Sequence, residues 1–239
     1  MTRPLVIAHR SCPLDAPQPQ VENSAAGIRA AVALGADAVE IDVRRSRGDG
    51  LVTIHDPLGW RLLRYPGFVR WAPERWLTAR RLRGSSELLP ALTTAIAAVP
   101  PGVRIAVDLK VPSALVPAVA VLRSAGRLGD AMLWCRRPAT VLAMAQVAPG
   151  VPTALLRNTS DRAATTRYLD EAVAVGATAV SLHERAVDAD VVAAAHGRGL
   201  VAYAWALSPR SHAPLLDAGV DGITTDWPGL LARELSGLG

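Results

Sequence analysis

The chain has 239 residues, half of them hydrophobic, with 26 basic and 21 acidic side chains and a formal net charge of +5. Such a composition can bury a sizeable core and excludes intrinsic disorder, and no apolar run reaches the roughly 18 residues of a membrane span. The arginines are scattered rather than gathered into a tail-like tract, so nucleic acid is not an expected partner, and Cys12 and Cys135 alone make no disulfide framework.

A strand is expected over 4–9, ending on His9-Arg10. The few residues before it are too short for a secretory leader, which needs an apolar stretch of about 7–15, so the cytoplasm is the expected compartment. A proline-studded loop carrying Cys12 leads to Glu22-Asn23 and a helix over 24–34. In "AVALGADAVEIDV" that helix closes on Gly35, and a β-branched strand follows over 38–43. Only "RRSRGDG" separates it from a strand over 51–55. A parallel crossover needs a dozen or more residues, and Asp49-Gly50 is a turn signal. The third strand therefore returns antiparallel beside the second. Segment 58–87 combines arginines with Trp60, Trp71 and Trp76 and reads as a loop or lid insertion.

Beyond it helix and strand alternate. Helices are expected over 89–98, 113–125, 138–147, 161–175, 187–198, 209–217 and 227–236, with strands over 103–109, 131–135, 152–156, 178–183, 200–206 and 221–225. "AVAVGATAVSLHE" and "LLDAGVDGITTD" repeat the helix–glycine–strand scheme of 31–43. With 51–55 set aside, eight parallel strands remain, and the expected architecture is an α/β fold: a single (β/α)8 TIM barrel spanning 1–239, with a short extra strand and insertion after its second strand. An open doubly wound sheet is the alternative, but no glycine-rich phosphate fingerprint follows the first strand.

Function in such barrels gathers where strands end. Those ends carry His9-Arg10, Glu40-x-Asp42, His55-Asp56, Asp108-x-Lys110, His183-Glu184, Trp205 and Thr225-Asp226. Residues two apart on a strand share a side, so Glu40 and Asp42 converge, and Asp108 ends the next barrel strand. Three carboxylates suit a hard divalent cation, Mg²⁺ or Ca²⁺, whereas no Cys-x-x-Cys or His-Glu-x-x-His spacing favours zinc. The competing reading pairs these acids with Arg10, Arg44 or Lys110. Lys110 is the chain's one lysine, and a compact ammonium is not interchangeable with a guanidinium. His9 and His55 suit acid–base work near neutral pH, and Arg10 and Lys110 place positive charge where an anion would bind. Together these groups describe phosphoryl chemistry on a small molecule, the fixed charges holding the phosphate and the histidines moving protons. Trp205 and His183 either meet the substrate or pack the barrel. His196 and His212 fall in helices as bystanders, and Cys12 reads as a packed thiol.

At these residues the chain resembles the glycerophosphodiester phosphodiesterase family. The resemblance is carried by "AHR" at 8–10, "EN" at 22–23, "EIDV" at 40–43, "DGLVTIHD" at 49–56, "DLK" at 108–110, and "AYAWAL" with "LLDAGVDGITTDWP" within 202–228. It implies a (β/α)8 barrel that hydrolyses a glycerophosphodiester to an alcohol and glycerol phosphate. His9 and His55 would be the acid–base pair, and Glu40, Asp42 and Asp108 the metal ligands. Arg10 and Lys110 would grip the phosphate, and Glu22 would orient Arg10 or a metal-bound water. The chain departs from the family pattern at Ser11, where glycine is usual, at Val21 and Ser24 around Glu22-Asn23, and at Asp108, where glutamate is common. The family's arginine–threonine stretch has no clear match in 58–66. Two rivals share the pattern. One is a lysophospholipase D-type hydrolase whose segment 58–87 touches lipid; the other is a non-catalytic phosphate-binding barrel, against which the intact His9, His55, Glu40, Asp42 and Lys110 argue.

Overall fold

The computed structural model describes residues 3–158, 161–206 and 208–237; Leu207, which ends the "AYAWAL" stretch, lies outside them. In chain order the strands are β1 (Leu5–Ala8), β2 (Ala38–Arg45), β3 (Leu51–Thr53), β4 (Arg104–Leu109), β5 (Ala131–Cys135), β6 (Thr153–Arg157), β7 (Ala179–His183), β8 (Val201–Trp205) and β9 (Gly222–Thr225). Each parallel strand pairs with the next around the ring β1-β2-β4-β5-β6-β7-β8-β9, and β9 pairs back onto β1. The ring closes as the eight-stranded barrel expected from the sequence. The extra strand β3 lies antiparallel on β2, with Val43 opposite Thr53 and Arg45 opposite Leu51, as the short turn between them requires.

The helices are α1 (Ala25–Ala33), α2 (Trp60–Leu63), α3 (Glu74–Thr78), α4 (Leu92–Ala97), α5 (Leu115–Ser124), α6 (Pro138–Val147), α7 (Arg162–Ala174), α8 (Ala189–His196), α9 (His212–Asp217) and α10 (Pro228–Ser236). Among the described residues none is long and apolar enough to cross a membrane. Eight of them follow the barrel strands and cover the sheet. Strand residues of one parity, such as Val39, Ile41 and Val43 of β2, pack outward against this helical layer. The other parity fills the barrel. Small side chains at Ala38, Ala106, Ala154 and Ala179 leave room for Trp134 and Tyr203, whose rings lie 5.6 Å apart. That plug of apolar residues closes the barrel below, so the polar residues of the same parity collect at its C-terminal mouth.

Segment 58–87 is a packed satellite. It holds α2 and α3, and around them Val52, Ile54, Leu62, Val69, Leu77 and Leu82 form a separate apolar core over β3. Neither helix is foreseen from the sequence: at four and five residues they are too short to show a helical period, and tertiary packing holds them.

Candidate active site

Glu40 and Asp42 point into the barrel from β2, and the β2–β4 register sets Asp42 opposite Asp108. All three carboxylates are buried, and they offer oxygen atoms within 4.8 Å of one another. Lys110 continues the inward parity of β4. Its Nζ lies 2.6 Å from Asp42 Oδ1 and also bonds Asp108 Oδ2. The sequence reading offered Lys110 either to a phosphate or to these acids; in the fold it lies between two of the acids and also lines the cavity above them.

The other contacts to the cluster come from the loop after β1. The Arg10 backbone N–H donates to Glu40 Oε2 at 2.6 Å, and Ser11 Oγ donates to the Glu40 carbonyl at 3.0 Å. Asn23 makes a reciprocal pair with Asp42: its Nδ2 donates to Oδ2, and its Oδ1 accepts from the Asp42 backbone, both at 2.8 Å. Holding this geometry requires left-handed backbone at Arg10 (φ 48°), Ser11 (φ 49°) and Asn23 (φ 58°), each costing on the order of 1 kcal/mol for a non-glycine residue. Ser11 thus occupies a conformation that glycine adopts freely, which explains why glycine suits this position.

Three adjacent buried acids cannot all ionise easily. Burial and neighbouring Asp42 push Glu40 well above the usual carboxylate range. Burial opposes the charge on Asp42 too, but Lys110, His55 and the bonds from Lys110 and Asn23 outweigh it and hold that group low. Asp108 is raised by burial despite Lys110, and its Oδ1 is buried with no hydrogen-bond partner. An all-oxygen donor set with one orphaned carboxylate oxygen fits a hard divalent cation.

Two histidines flank the cluster, and each is oriented by an aspartate. His9 Nδ1 lies 2.8 Å from Asp226 Oδ1, and His55 Nδ1 lies 2.8 Å from Asp56 Oδ1. Carboxylate pairing at Nδ1 selects the tautomer that frees Nε2 for proton transfer. Their titrations diverge. Burial lowers His9, but the Asp226 bond and the charge of Glu40 overcome it and raise the pKa above 6.5. At His55 burial prevails over Asp42 and Asp56, and the pKa falls below 6.5.

Glu22 stands behind this layer. It accepts from Arg10 Nη1 at 3.2 Å and from both terminal nitrogens of Arg61, at 2.8 and 2.5 Å. Arg61 also donates through Nε to Asp56 Oδ2 at 2.6 Å, joining Glu22 to the support of His55.

Of the residues singled out in the sequence, His9, Arg10, Glu40, His55, Asp108, Lys110 and Trp205 line one cavity of about 670 Å³. Asp42 lies beneath it and Glu22 behind it. The Trp205 ring meets His183 edge-on at 4.6 Å. His212 is fully buried between Thr225 and Glu234, and His196 pairs with Asp221. Cys12 Sγ bonds the Gln20 carbonyl, and burial pushes the thiol up to about 11, so it stays protonated. Sequence reasoning missed Asn23, Arg61, and the roles of Asp56 and Asp226. The two aspartates do stand among the polar strand ends, whereas Arg61 carried no signal within a segment rich in arginine.

A closed (β/α)8 barrel with its polar groups assembled at the C-terminal mouth defines a barrel enzyme. Comparison with known proteins gives the family: the model of the glycerophosphoryl diester phosphodiesterase family matches residues 9–230. The chain belongs to that family. A curated glycerophosphodiester phosphodiesterase from Caldanaerobacter subterraneus subsp. tengcongensis is 41% identical over 66 residues, a stretch that spans 28% of this chain and about a quarter (26%) of that protein. The fold is similar to a crystal structure from Agrobacterium tumefaciens strain C58, with a TM-score of 0.89 at 19% identity over 99% of both chains. It is also similar to an Oleispira antarctica phosphodiesterase in complex with the product sn-glycerol-3-phosphate, with a TM-score of 0.83 at 20% identity over 98% of this chain and 97% of that one.

Proposed function

We propose that this chain hydrolyses glycerophosphodiesters to an alcohol and glycerol phosphate, with a divalent cation held by Glu40, Asp42 and Asp108 and with His55 and His9 as base and acid. The observation that carries the reading is the pairing of a buried three-carboxylate cluster with two histidines, each tied through Nδ1 to an aspartate. When bound, the cation polarises a phosphoryl oxygen and lets the three acids ionise together. Arg10 faces the same cavity and supplies positive charge for the phosphate, while Lys110 fixes Asp42 and Asp108. His55, held neutral, accepts the proton of the attacking water as its oxygen bonds to phosphorus. His9, held protonated, delivers its proton to the alcohol oxygen as the other phosphorus–oxygen bond breaks. Water is consumed, and the histidines exchange states until solvent resets them.

The test is a panel of glycerophosphodiesters and lysophospholipids, assayed with and without chelator. Release of glycerol phosphate from the water-soluble diesters, abolished by chelator, is expected; no turnover of any diester with metal present would end this reading.

One observation supports contact with lipid. Segment 58–87 holds seven arginines against two glutamates, a net +5 that equals the charge of the whole chain. Trp60 and Trp71 within it are 64% and 56% exposed. Arginine and interfacial tryptophan suit an anionic bilayer surface. Co-sedimentation with phosphatidylglycerol vesicles but not with phosphatidylcholine vesicles is the expected result, and it would favour a lysophospholipase D-type substrate presented at that surface.

A further inference from the structure

The wall of the cavity farthest from His9 is cationic, and the hydrolytic reading leaves it without a role. In ring order β6 lies four strands from β1 in either direction, directly across the barrel. At that end Arg157 and Asn158 line the cavity, and Arg136 and Arg137 join them from the end of β5. Arg136 shares the inward parity of Trp134, whereas Arg137 and Arg157 share the outward parity of Cys135 and Leu155 and reach the cavity at its rim. Arg157 is braced: its Nη2 bonds Glu171 at 2.5 Å, and its guanidinium lies 4.9 Å from the centre of the buried Tyr168 ring. Arg136 and Arg137 are exposed, and among the described residues neither forms a salt bridge.

The contrast with the catalytic wall is one of charge matching. There Lys110 is matched by Asp42 and Asp108 and Arg10 by Glu22, while Arg44, which forms no salt bridge among the described residues, is tied by its Nε to the His55 carbonyl. Both carboxylates that line the cavity among the described residues, Glu40 and Asp108, belong to the acidic cluster. Two guanidinium groups without salt-bridge partners, beside a third that is braced in place, leave this wall with positive charge in excess, although Arg136 also acts at a distance on Asp108. Guanidinium groups bind phosphate through paired N–H donors, and a cleft lined by one sign of charge concentrates the opposite one.

We propose that Arg136, Arg137 and Arg157 form a subsite for a second phosphate group carried by the substrate's alcohol, so that glycerophosphodiesters of a phosphorylated alcohol are preferred over those of a neutral one. The proposal rests on the hydrolytic reading of the same cavity. With the scissile diester at the histidines, the alcohol extends across the mouth, and a phosphomonoester at its far end meets the arginine wall.

The test compares glycerophosphoglycerol with its terminally phosphorylated form. The wild-type enzyme should favour the phosphorylated substrate in kcat/KM by about tenfold or more, the size of one or two charge-assisted hydrogen bonds. In Arg136→Gln/Arg137→Gln and in Arg157→Gln that ratio should fall toward one, mainly through KM, and Arg136→Lys should keep part of it. Equal kcat/KM for the two substrates in the wild type, or an unchanged ratio in the variants, overturns the proposal. Calorimetric binding of both compounds separates it from the reading on which it rests. If neither is hydrolysed yet the phosphorylated one binds in an arginine-dependent way, the subsite stands and the hydrolytic reading fails; arginine-independent binding removes the subsite.

Discussion

Arg61 grips both carboxylate oxygens of Glu22, at 2.8 and 2.5 Å, and turns its Nε onto Asp56 at 2.6 Å. Asp56 in turn holds Nδ1 of His55. A side chain from the satellite therefore braces the aspartate that orients a histidine at the barrel mouth. Arg61→Ala should leave the barrel folded and lower kcat about 10-fold or more, the usual scale for losing an outer partner of a functional group. Loosening Asp56 removes an interaction that raises His55, so the acid limb of the pH–rate profile should also move to lower pH. Arg61→Lys cannot reproduce the two-nitrogen grip and should recover only part of the rate. A fall in kcat with an unmoved acid limb would show that Arg61 merely holds the satellite in place.

The opposite shifts of the two histidines set the shape of that profile. As a base, His55 works only when neutral, above a pKa that lies below 6.5. As an acid, His9 works only when protonated, below a pKa that lies above 6.5. Activity should rise through the first value and fall through the second, giving a bell that brackets 6.5. His55→Gln should erase the acid limb and His9→Gln the alkaline limb, each lowering kcat by roughly 10²–10⁴. Near-normal turnover in either variant would make that histidine structural.

Much of this site is legible in the amino-acid sequence, for reasons local to the chain. Alternation along β2 forces Glu40 and Asp42 to one side, and a connection too short for a parallel crossover, five residues in the fold, forces β3 to run antiparallel. Helix–glycine–strand repeats count the barrel. What escapes is what depends on distant partners. Arg61 is one of seven arginines in a segment without periodicity, and its value lies in meeting Glu22 from 39 residues away. Asn23 sits beside Glu22 in a motif visible in the sequence, yet its role comes from the approach of its loop to β2. Lys110 is recognisable as special, but strand parity gives only its side of the barrel, and its engagement with Asp42 emerges from the register of β2 against β4.

Asn23 offers a test of that loop in which backbone strain and hydrogen bonding separate. Its φ of 58° suits glycine, so Asn23→Gly removes the two bonds to Asp42 without adding strain. Leaving a buried carboxylate short of a donor should cost about 1–3 kcal/mol of stability, read as a lower urea midpoint with the slope unchanged. A variant as stable as the wild type would show that Lys110 and Arg10 suffice to hold Asp42.

Exhaustive chelation should abolish activity, and Mg²⁺ or Ca²⁺ should restore it, with Zn²⁺ less effective because the cluster offers neither imidazole nor thiolate. Since a cation that binds only the folded chain stabilises it, the same ions should raise Tm. Full activity after chelation, with a Tm indifferent to either ion, would remove the metal assignment.

Asp108→Glu examines the chain's departure from the family's usual glutamate. Asp108 is 3% exposed and faces Asp42 across the strand pair, with Oδ2 taken by Lys110 and Oδ1 buried without a partner. An added methylene in a packed interior costs roughly 1–3 kcal/mol when nothing gives way. Here the side chain lengthens toward the cavity that Asp108 lines, and the orphaned oxygen would gain reach toward a cation held by the three acids. The expected outcome is tighter metal binding by about fivefold, on the order of 1 kcal/mol, seen as a lower half-saturating Mg²⁺ concentration both in activity and in the metal-induced rise of Tm. Weaker binding by both measures would mean that the barrel is spaced for aspartate, and that the unpartnered oxygen already lies at the distance a cation requires.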